Sequence, residues 1–212
     1  GHSFPTRRSS DLCTAGALSF DEDKKVVIDN DKCIQCGACV YQCPFGAIMD
    51  KSSVVDVTNI LLKARQEDDP HIYAIIAPAI SSQFTYAKIG QVVSGIKKLG
   101  FKDVIEVAIG ADMVAVNETK EFSETIEELK TITSSCCPAF VSYIKKKYPE
   151  LGKHVSSTVS PMIAISKLIK STDPLAKIVF IGPCTAKKME INEKDIKGIT
   201  DYVLTFEELQ AM

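Results

Sequence analysis

From residue 51 to the end of the chain, two patterns of hydrophobic and polar positions alternate along the sequence. Apolar runs at 72–77 and 177–182 are typical of strands buried on both faces. Elsewhere the apolar residues recur every three or four positions, which is the period of an amphipathic helix. This alternation predicts a mostly parallel sheet flanked by helices, an α/β domain.

Several predicted helices have recognisable end signals. Gly100 closes one helix, and Pro138 and Pro161 stand in the first turns of two others. Thr205 and Glu208 form a capping box that opens the last helix. Predicted helices cover residues 54–64, 89–99, 111–130, 138–148, a segment from 161 and a segment from 206. Predicted strands cover residues 72–77, 103–109, 130–135 and 177–182.

The chain divides into four segments. Residues 1–12 share no pattern with the rest and resemble a translated sequencing adapter, with a short polar tail as the alternative. Residues 13–50 form a small cysteine-rich domain. Residues 51–70 hold a helix and an acidic linker, and residues 71–212 hold the larger strand-and-helix domain.

Composition narrows the class of protein. With 45% hydrophobic residues and a mean hydropathy of +0.06, the chain is globular and not disordered. A formal net charge of -2 gives no reason to expect nucleic acid or an anionic membrane as a partner. The longest apolar stretch, residues 72–80, is too short to span a bilayer, and no secretory signal is present. We therefore expect a cytoplasmic protein.

Most of the candidate chemistry lies in eight cysteines. Cys33, Cys36, Cys39 and Cys43 follow the spacing C-x2-C-x2-C-x3-C-P, with which bacterial ferredoxins bind 4Fe–4S clusters. A zinc site is the alternative, but it usually has two C-x-x-C pairs across a longer loop, or histidine ligands. The histidines of this chain show no such spacing. Clustered thiols also indicate a reducing compartment.

An internal repeat adds a further cysteine to this group. Gly-Ala-Leu follows Cys13 at the offset at which Gly-Ala-Ile follows Cys43. In two-cluster ferredoxins the fourth cysteine of each run binds the other cluster. We therefore expect Cys13 to complete the cluster of Cys33, Cys36 and Cys39, and Cys43 to serve a second cluster with cysteines further upstream. The alternative for Cys13 is a free, buried thiol.

A second group of cysteines lies in turns that follow predicted strands. Cys136 and Cys137 lie in SSCCPAF, Cys184 lies in FIGPCTAKKME, and Pro78 occupies a third such turn. Ligands of open α/β sheets bind beyond the carboxyl ends of the strands, so we expect these turns to meet at one edge. Cys137 also precedes a helix N-terminus, which favours the thiolate. The group predicts a second metallocluster site.

Taken together, SSCCPAF, HVSSTVSPM and FIGPCTAKKME resemble the large subunit of iron-only (di-iron) hydrogenases, in which a ferredoxin-like segment usually precedes the main domain. The resemblance covers residues 13–212. It implies an α+β ferredoxin-like 4Fe–4S segment followed by the α/β domain, and reversible reduction of protons to H2. It also implies an H-cluster, a 4Fe–4S cubane joined through a cysteine to a di-iron unit with CO and cyanide ligands. The implied partners are ferredoxin or a similar electron carrier, H2 and protons.

The resemblance also implies roles for individual residues. Cys137 and Cys184 match two of the four cubane ligands, and Cys136 matches the cysteine that passes protons beside the open iron. Lys187 matches the lysine that donates to a cyanide, although its position also suits a surface lysine. The remaining matches are Pro78 and Ala79 against the di-iron ligands, and Glu118, Glu121 and Ser156 on the proton path. Without the resemblance, both glutamates suit an exposed helix face.

Departures from the family pattern leave alternative functions open. Gly182 stands where many catalytic members have methionine, and Met162 stands where glutamine is common, which indicates a divergent subgroup. Further cluster cysteines are expected beyond Met212 and upstream of Cys13, so we expect a fragment that is broken at both ends. The alternatives are a hydrogenase-like iron–sulfur assembly protein, a sensory protein, and an electron-transfer ferredoxin with an unrelated α/β domain.

Overall fold

A computed structural model describes residues 13–43, 45–66 and 70–212 of the chain. The predictions for residues 1–12 and for the acidic linker at 67–69 lie outside these residues. Strand β1 (Leu18–Phe20) pairs antiparallel with β2 (Val26–Ile28), and a short helix, α1 (Ala38–Gln42), follows. This small α+β unit carries the first cysteine group, as the sequence predicts.

The larger segment is built on a four-stranded sheet in which all strand pairs are parallel. The two central strands are buried along almost their whole length, which explains their unbroken apolar sequences. The predicted helix-flanked parallel sheet is therefore confirmed. In spatial order the strands are β4 (Asp103–Glu106), β3 (Ile72–Ile76), β5 (Lys177–Ile181) and β6 (Tyr202–Leu204).

Helices pack around this sheet and share one hydrophobic core with it. Val57 and Leu61, from the helix that precedes the sheet, are buried in the same cluster as Ile75, Ile178 and Leu209. None of the helices in the described ranges is long and apolar enough to cross a bilayer. The helices are α2 (Val54–Ala64), α3 (Ile80–Gln83), α4 (Ile89–Lys98), α5 (Val107–Leu129), α6 (Pro138–Lys147), α7 (Pro161–Thr172), α8 (Lys187–Glu190) and α9 (Phe206–Ala211), and a 3-10 helix spans Pro149–His154.

Two predicted strands are corrected by the structure. The strand predicted at 103–109 ends at Glu106, and α5 begins at once with Val107. The strand predicted at 130–135 is wrong, because only Thr133 forms an isolated bridge, with Val155. The turn at Cys136 therefore follows a loop and not a strand of the sheet. Strand β6 was not among the predicted elements.

Candidate functional site

Four cysteines of the ferredoxin-like segment line one cavity of about 400 Å³. They are Cys13, Cys33, Cys36 and Cys39, whereas Cys43 does not belong to the lining. Backbone amides face two of the sulfurs: the Ala17 N–H donates to Cys13 Sγ at 3.3 Å and the Gln35 N–H donates to Cys33 Sγ at 3.4 Å. Hydrogen bonds of this kind tune the reduction potential of iron–sulfur clusters.

The environments of Cys39 and Cys43 differ. Burial is the main reason that the pKa of the Cys39 thiol is raised, and the nearby Cys33 and Cys13 raise it further. The pKa of Cys43 is lowered, chiefly by hydrogen bonds from the backbone amides of Phe45 and Ala47. The Cys43 sulfur is therefore surrounded by its own set of backbone N–H donors, as a ligand of a different cluster would need.

Four cysteine sulfurs around one cavity are the donor set of a 4Fe–4S cluster. No group of three or more His, Cys, Asp or Glu residues, within the parts of the chain that the structure describes, is arranged to hold one metal ion. A cubane holds its four thiolates farther apart than one ion does, around a volume such as this cavity. All eight cysteines are free thiols.

Lys187 connects the two turns that carry the second cysteine group. Cys137 is the N-cap of α6, with Pro138 in its first turn, and its side chain makes no capping hydrogen bond. Lys187 lies at the start of α8, shortly after Cys184 in the turn that follows β5. Its Nζ donates to the Cys136 carbonyl oxygen at 3.1 Å. The ammonium group therefore links the Cys136–Cys137 turn to the helix that follows Cys184.

The turn after β3 lies beside the end of β5. The Ala77 N–H donates to the Ile181 carbonyl at 2.9 Å, which brings the turn of Pro78 and Ala79 next to Gly182. A Cβ at Gly182 would lie 2.6 Å from the Phe180 ring and 3.1 Å from the Cβ of Ala77. Phe180 is itself 4% exposed, so its ring has no room to move aside. Met162, the second departure from the family pattern, is buried in the core.

The three residues predicted for proton transfer lie near one another. Ser134 Oγ donates to Glu118 Oε1 at 2.7 Å and accepts from the Cys136 N–H at 3.4 Å. The Ser156 hydroxyl donates to Glu121, which also accepts from the Ser157 N–H at 2.8 Å. Glu118, Ser134 and Ser156 line one cavity of about 410 Å³.

Hydrogen bonding lowers the pKa of the Glu121 carboxyl. Burial raises the pKa of this carboxyl, but hydrogen bonds from Ser156, Ser157 and Thr158 outweigh it, so the net pKa is lower than usual. The group is therefore a carboxylate near neutral pH, and it is the acceptor for the Ser156 hydroxyl. An acceptor and a hydroxyl in contact are what a proton relay requires.

The ferredoxin-like segment packs directly on the loop that follows Cys184. Thr185 and Lys188 line the same cavity as the four cysteines. Gly37 has a φ of 77°, and a Cβ there would overlap Thr185 Oγ1. The loop between Cys36 and α1 is thus in contact with the residue after Cys184. The two cysteine groups are therefore neighbours in the fold.

Hydrogen bonds of Lys188 stabilise this contact. Its Nζ donates to Oδ2 of Asp50, the last residue of the ferredoxin-like segment, at 2.6 Å and to the carbonyl of the next residue, Lys51, at 3.0 Å. It also donates to both carboxylate oxygens of Glu208 at 2.8 Å. The Lys188 side chain is 12% exposed, so the contact is largely shielded from water.

Sequence reasoning missed several residues of this site. Glu190 pairs with Lys187, and the i,i+3 spacing of opposite charges was a readable signal for it. Ser134 lies two residues before Cys136, but a serine at such a position does not by itself indicate a functional residue. Lys146 contacts Asn30, which lies 116 positions away in the sequence, and Lys188 contacts Asp50, which lies 138 positions away. A local sequence pattern does not reveal contacts over such separations.

Comparison with known proteins gives a consistent result. Residues 70–212 match the family described as iron only hydrogenase large subunit, C-terminal domain. Residues 26–49 match the family described as 4Fe-4S binding domain. Both matches agree with the ferredoxin-like segment and the α/β domain described above.

Curated relatives include hydrogenases and an assembly factor. Iron hydrogenase 1 of Clostridium pasteurianum is 30% identical over 91% of this chain and 44% of its own length. The periplasmic Fe hydrogenase large subunit of Nitratidesulfovibrio vulgaris is 30% identical over 91% of this chain and 58% of its own. The cytosolic Fe-S cluster assembly factor NAR1 of Kluyveromyces lactis is 24% identical over 92% of this chain and 43% of its own. The chain thus spans roughly half the length of these relatives.

Proposed function

The chain belongs to the iron-only hydrogenase large-subunit family, and from this premise we propose that the complete protein interconverts protons and H2. Cys13, Cys33, Cys36 and Cys39 would hold a 4Fe–4S cluster, which would supply the entry point for electrons from ferredoxin or a similar carrier. Cys43 serves a further cluster, as its own set of backbone N–H donors suggests. A reducing compartment such as the cytoplasm keeps these thiols available for iron.

The position of Lys187 carries this proposal. Its ammonium stands beside the Cys136 carbonyl, shortly after Cys184 in the chain, with its charge balanced by Glu190. An anionic cyanide ligand calls for a strong point donor at such a place. Burying a charge is costly, so a role toward an anionic ligand gives this ammonium a functional reason beside the structural one of its ion pair with Glu190.

The second site would hold the H-cluster through residues of this chain. When bound, the H-cluster supplies the redox chemistry that exchanges electrons and protons for H2. Cys137, the N-cap residue of α6, and Cys184, in the turn after β5, would provide two of its cysteine ligands. Pro78 and Ala79, both exposed in the turn after β3, would pack against the di-iron unit.

Proton transfer is assigned to Cys136, Glu118, Ser156 and Glu121. The Cys136 thiol takes up or releases the proton next to the second site, and Ser134 links its backbone to Glu118. Ser156 donates to the ionised Glu121, from which the proton reaches solvent. Thiol, carboxylate and hydroxyl groups can each accept and release a proton, as a relay requires, and Glu118 and Ser156 line one cavity between the two hydrogen-bonded pairs.

Similarity to an assembly factor supports one alternative function. The NAR1 relative from Kluyveromyces lactis matches as much of this chain as the hydrogenases do, although at 24% identity. An assembly role would need the cubane sites and no di-iron chemistry. A sensory role, or simple electron transfer, would likewise leave H2 turnover low.

The test is to measure H2 production by the complete protein after H-cluster maturation, with reduced methyl viologen as electron donor. We expect H2 turnover together with infrared bands from CO and cyanide. Cys136→Ser should lower turnover by about 100-fold or more, because proton transfer is lost. The infrared bands of that variant control for cluster loading. Cubane clusters without such bands, and without H2, would favour the assembly role.

A further inference from the structure

One lysine of the α/β domain reaches across to the first cysteine group. Lys146 Nζ donates to the carbonyl oxygen of Asn30 at 2.9 Å and to that of Cys33 at 2.8 Å. It lies in the last turn of α6, the helix that begins directly after Cys137. A single helix therefore touches both cysteine groups, Cys137 at its start and Cys33 near its end.

Lys146 differs from Lys188 in its charge balance. The ammonium of Lys188 is neutralised by the carboxylates of Asp50 and Glu208. No ion pair among the described residues includes Lys146, whose acceptors are two neutral carbonyls. Lys146 therefore brings a net positive charge to the peptide of a cysteine that lines the cavity.

A positive charge at this place acts on the reduction potential of a bound cluster. A reduced cluster is one charge more negative than an oxidised one, so a nearby cation stabilises the reduced form and raises the potential. The ammonium also polarises the peptide group of Cys33. The same loop contains the Gln35 N–H, which donates a hydrogen bond to Cys33 Sγ. Because Lys146 is exposed, salt weakens the effect.

The helix also sets the spacing between the two cysteine groups. With ten residues in α6, its length is about 15 Å. The helix backbone is rigid, so the bonds from Lys146 to Asn30 and Cys33 hold the first group at a fixed distance from Cys137. A fixed distance is what electron transfer between two clusters requires.

We propose that Lys146 is a positioning residue that ties the Cys33 loop to α6 and raises the reduction potential of the cluster held there. This inference rests on the proposed binding of a 4Fe–4S cluster by Cys13, Cys33, Cys36 and Cys39. It assigns no catalytic step to Lys146. It concerns the electron-entry site and not the chemistry of the second site.

The test is a redox titration of the full chain after reconstitution with iron and sulfide, followed by EPR at low ionic strength. Lys146→Gln removes the charge and should shift the midpoint potential to a more negative value. Lys146→Arg keeps the charge and should leave the potential unchanged. Lys147→Gln is the matched control, because Lys147 is the next residue on the same helix and is exposed. High salt should reduce the difference between Lys146→Gln and the wild type.

The outcomes separate this inference from the proposed function. A wild-type chain that takes up no 4Fe–4S cluster overturns the ligand assignment and this inference with it. Equal cluster content in all variants, with Lys146→Gln shifted no more than Lys147→Gln, overturns the inference alone. If Lys146→Gln does not retain its cluster, the midpoint potential of Lys146→Arg provides the test. That variant keeps the positive charge, so a shift of its midpoint potential from the wild-type value would contradict the role of the charge.

Discussion

Lys187 and Glu190 form a buried ion pair, with 2.6 Å between Nζ and Oε2 and side chains that are 11% and 8% exposed. Because Lys187 also donates to the Cys136 carbonyl, the pair fixes the ammonium at the junction of two cysteine turns. A buried charge that loses its partner is strongly destabilising. The stability of this part of the fold is thus linked to the site.

We expect Glu190→Gln to lower the free energy of unfolding by about 3 kcal/mol, because the Lys187 ammonium stays buried without its counter-charge. Urea unfolding followed by circular dichroism measures this. Glu128→Gln, at an exposed position of α5, is the control and should change stability by less than about 0.5 kcal/mol. Equal effects of the two substitutions would contradict the importance of the pair.

The stability of the contact around Lys188 should depend on pH through Glu208. Burial raises the pKa of Glu208, but hydrogen bonds from Lys188 and the Thr205 N–H outweigh it, so the net pKa is below 4.5. A lowered folded-state pKa means that the stabilisation is complete above about pH 4.5 and is lost as the pH falls through the lowered value.

Lys188→Met should therefore raise the pKa of Glu208 and move this acid-induced loss of stability to higher pH. Melting temperatures of wild type and variant, measured from neutral pH down to about pH 3, test this prediction. Lys194→Met, at an exposed position, serves as the control. A variant whose melting temperature falls in parallel with that of the wild type over the whole range would count against it.

The close approach of Gly37 to Thr185 predicts a steric effect of a single methyl group. Gly37→Ala should cost about 3 kcal/mol, because the residue has a positive φ and its Cβ would overlap Thr185 Oγ1. Gly46→Ala is matched in backbone, with a φ of +60° and nothing within 4 Å, and should cost about 1 kcal/mol.

A double mutant isolates the contact. Thr185→Ala removes the hydroxyl and should restore part of the stability lost in Gly37→Ala, but none of that lost in Gly46→Ala. Thermal unfolding of the variants measures the interaction energy. Additive effects at Gly37 and Thr185 would show that the two residues do not touch.

The cavity lining distinguishes Cys13 from Cys43. Cys13→Ser removes one of the four sulfurs around the cavity and should abolish most of the 4Fe–4S content after reconstitution. Cys43→Ser should leave it intact, since Cys43 is not part of the lining. Iron and acid-labile sulfide per chain, with the EPR spectrum of the reduced sample, provide the measurement. Equal loss in both variants would reverse the assignment of Cys13.

The central strands and most helices could be predicted because their apolar periodicity is local. The region around Val107 could not. Its β-branched sequence favours a strand, but α5 packs closely on α7, where a Cβ at Gly110 would overlap the Pro161 carbonyl. This tertiary contact overrides the local preference, so the helix begins at Val107.

The cysteine groups were visible in the sequence because ligand spacing is a local pattern. Their relative position was not, since it depends on contacts of Lys146, Lys188 and Thr185 with residues far away in the chain. The prediction that the Cys136 turn follows a strand of the sheet is wrong. Residues 130–135 do not form a sheet strand, and Lys187 brings that turn to the site instead.

The packing at Gly182 makes two positions of the chain interdependent in evolution. No side chain fits at 182 while the Phe180 ring fills the space above it. A lineage can therefore acquire a larger residue at 182 only after position 180 has become smaller. A larger residue at 182 would therefore fit beside a small residue at 180 but would destabilise the fold beside Phe180, so the order of mutations constrains which forms of this site are reachable.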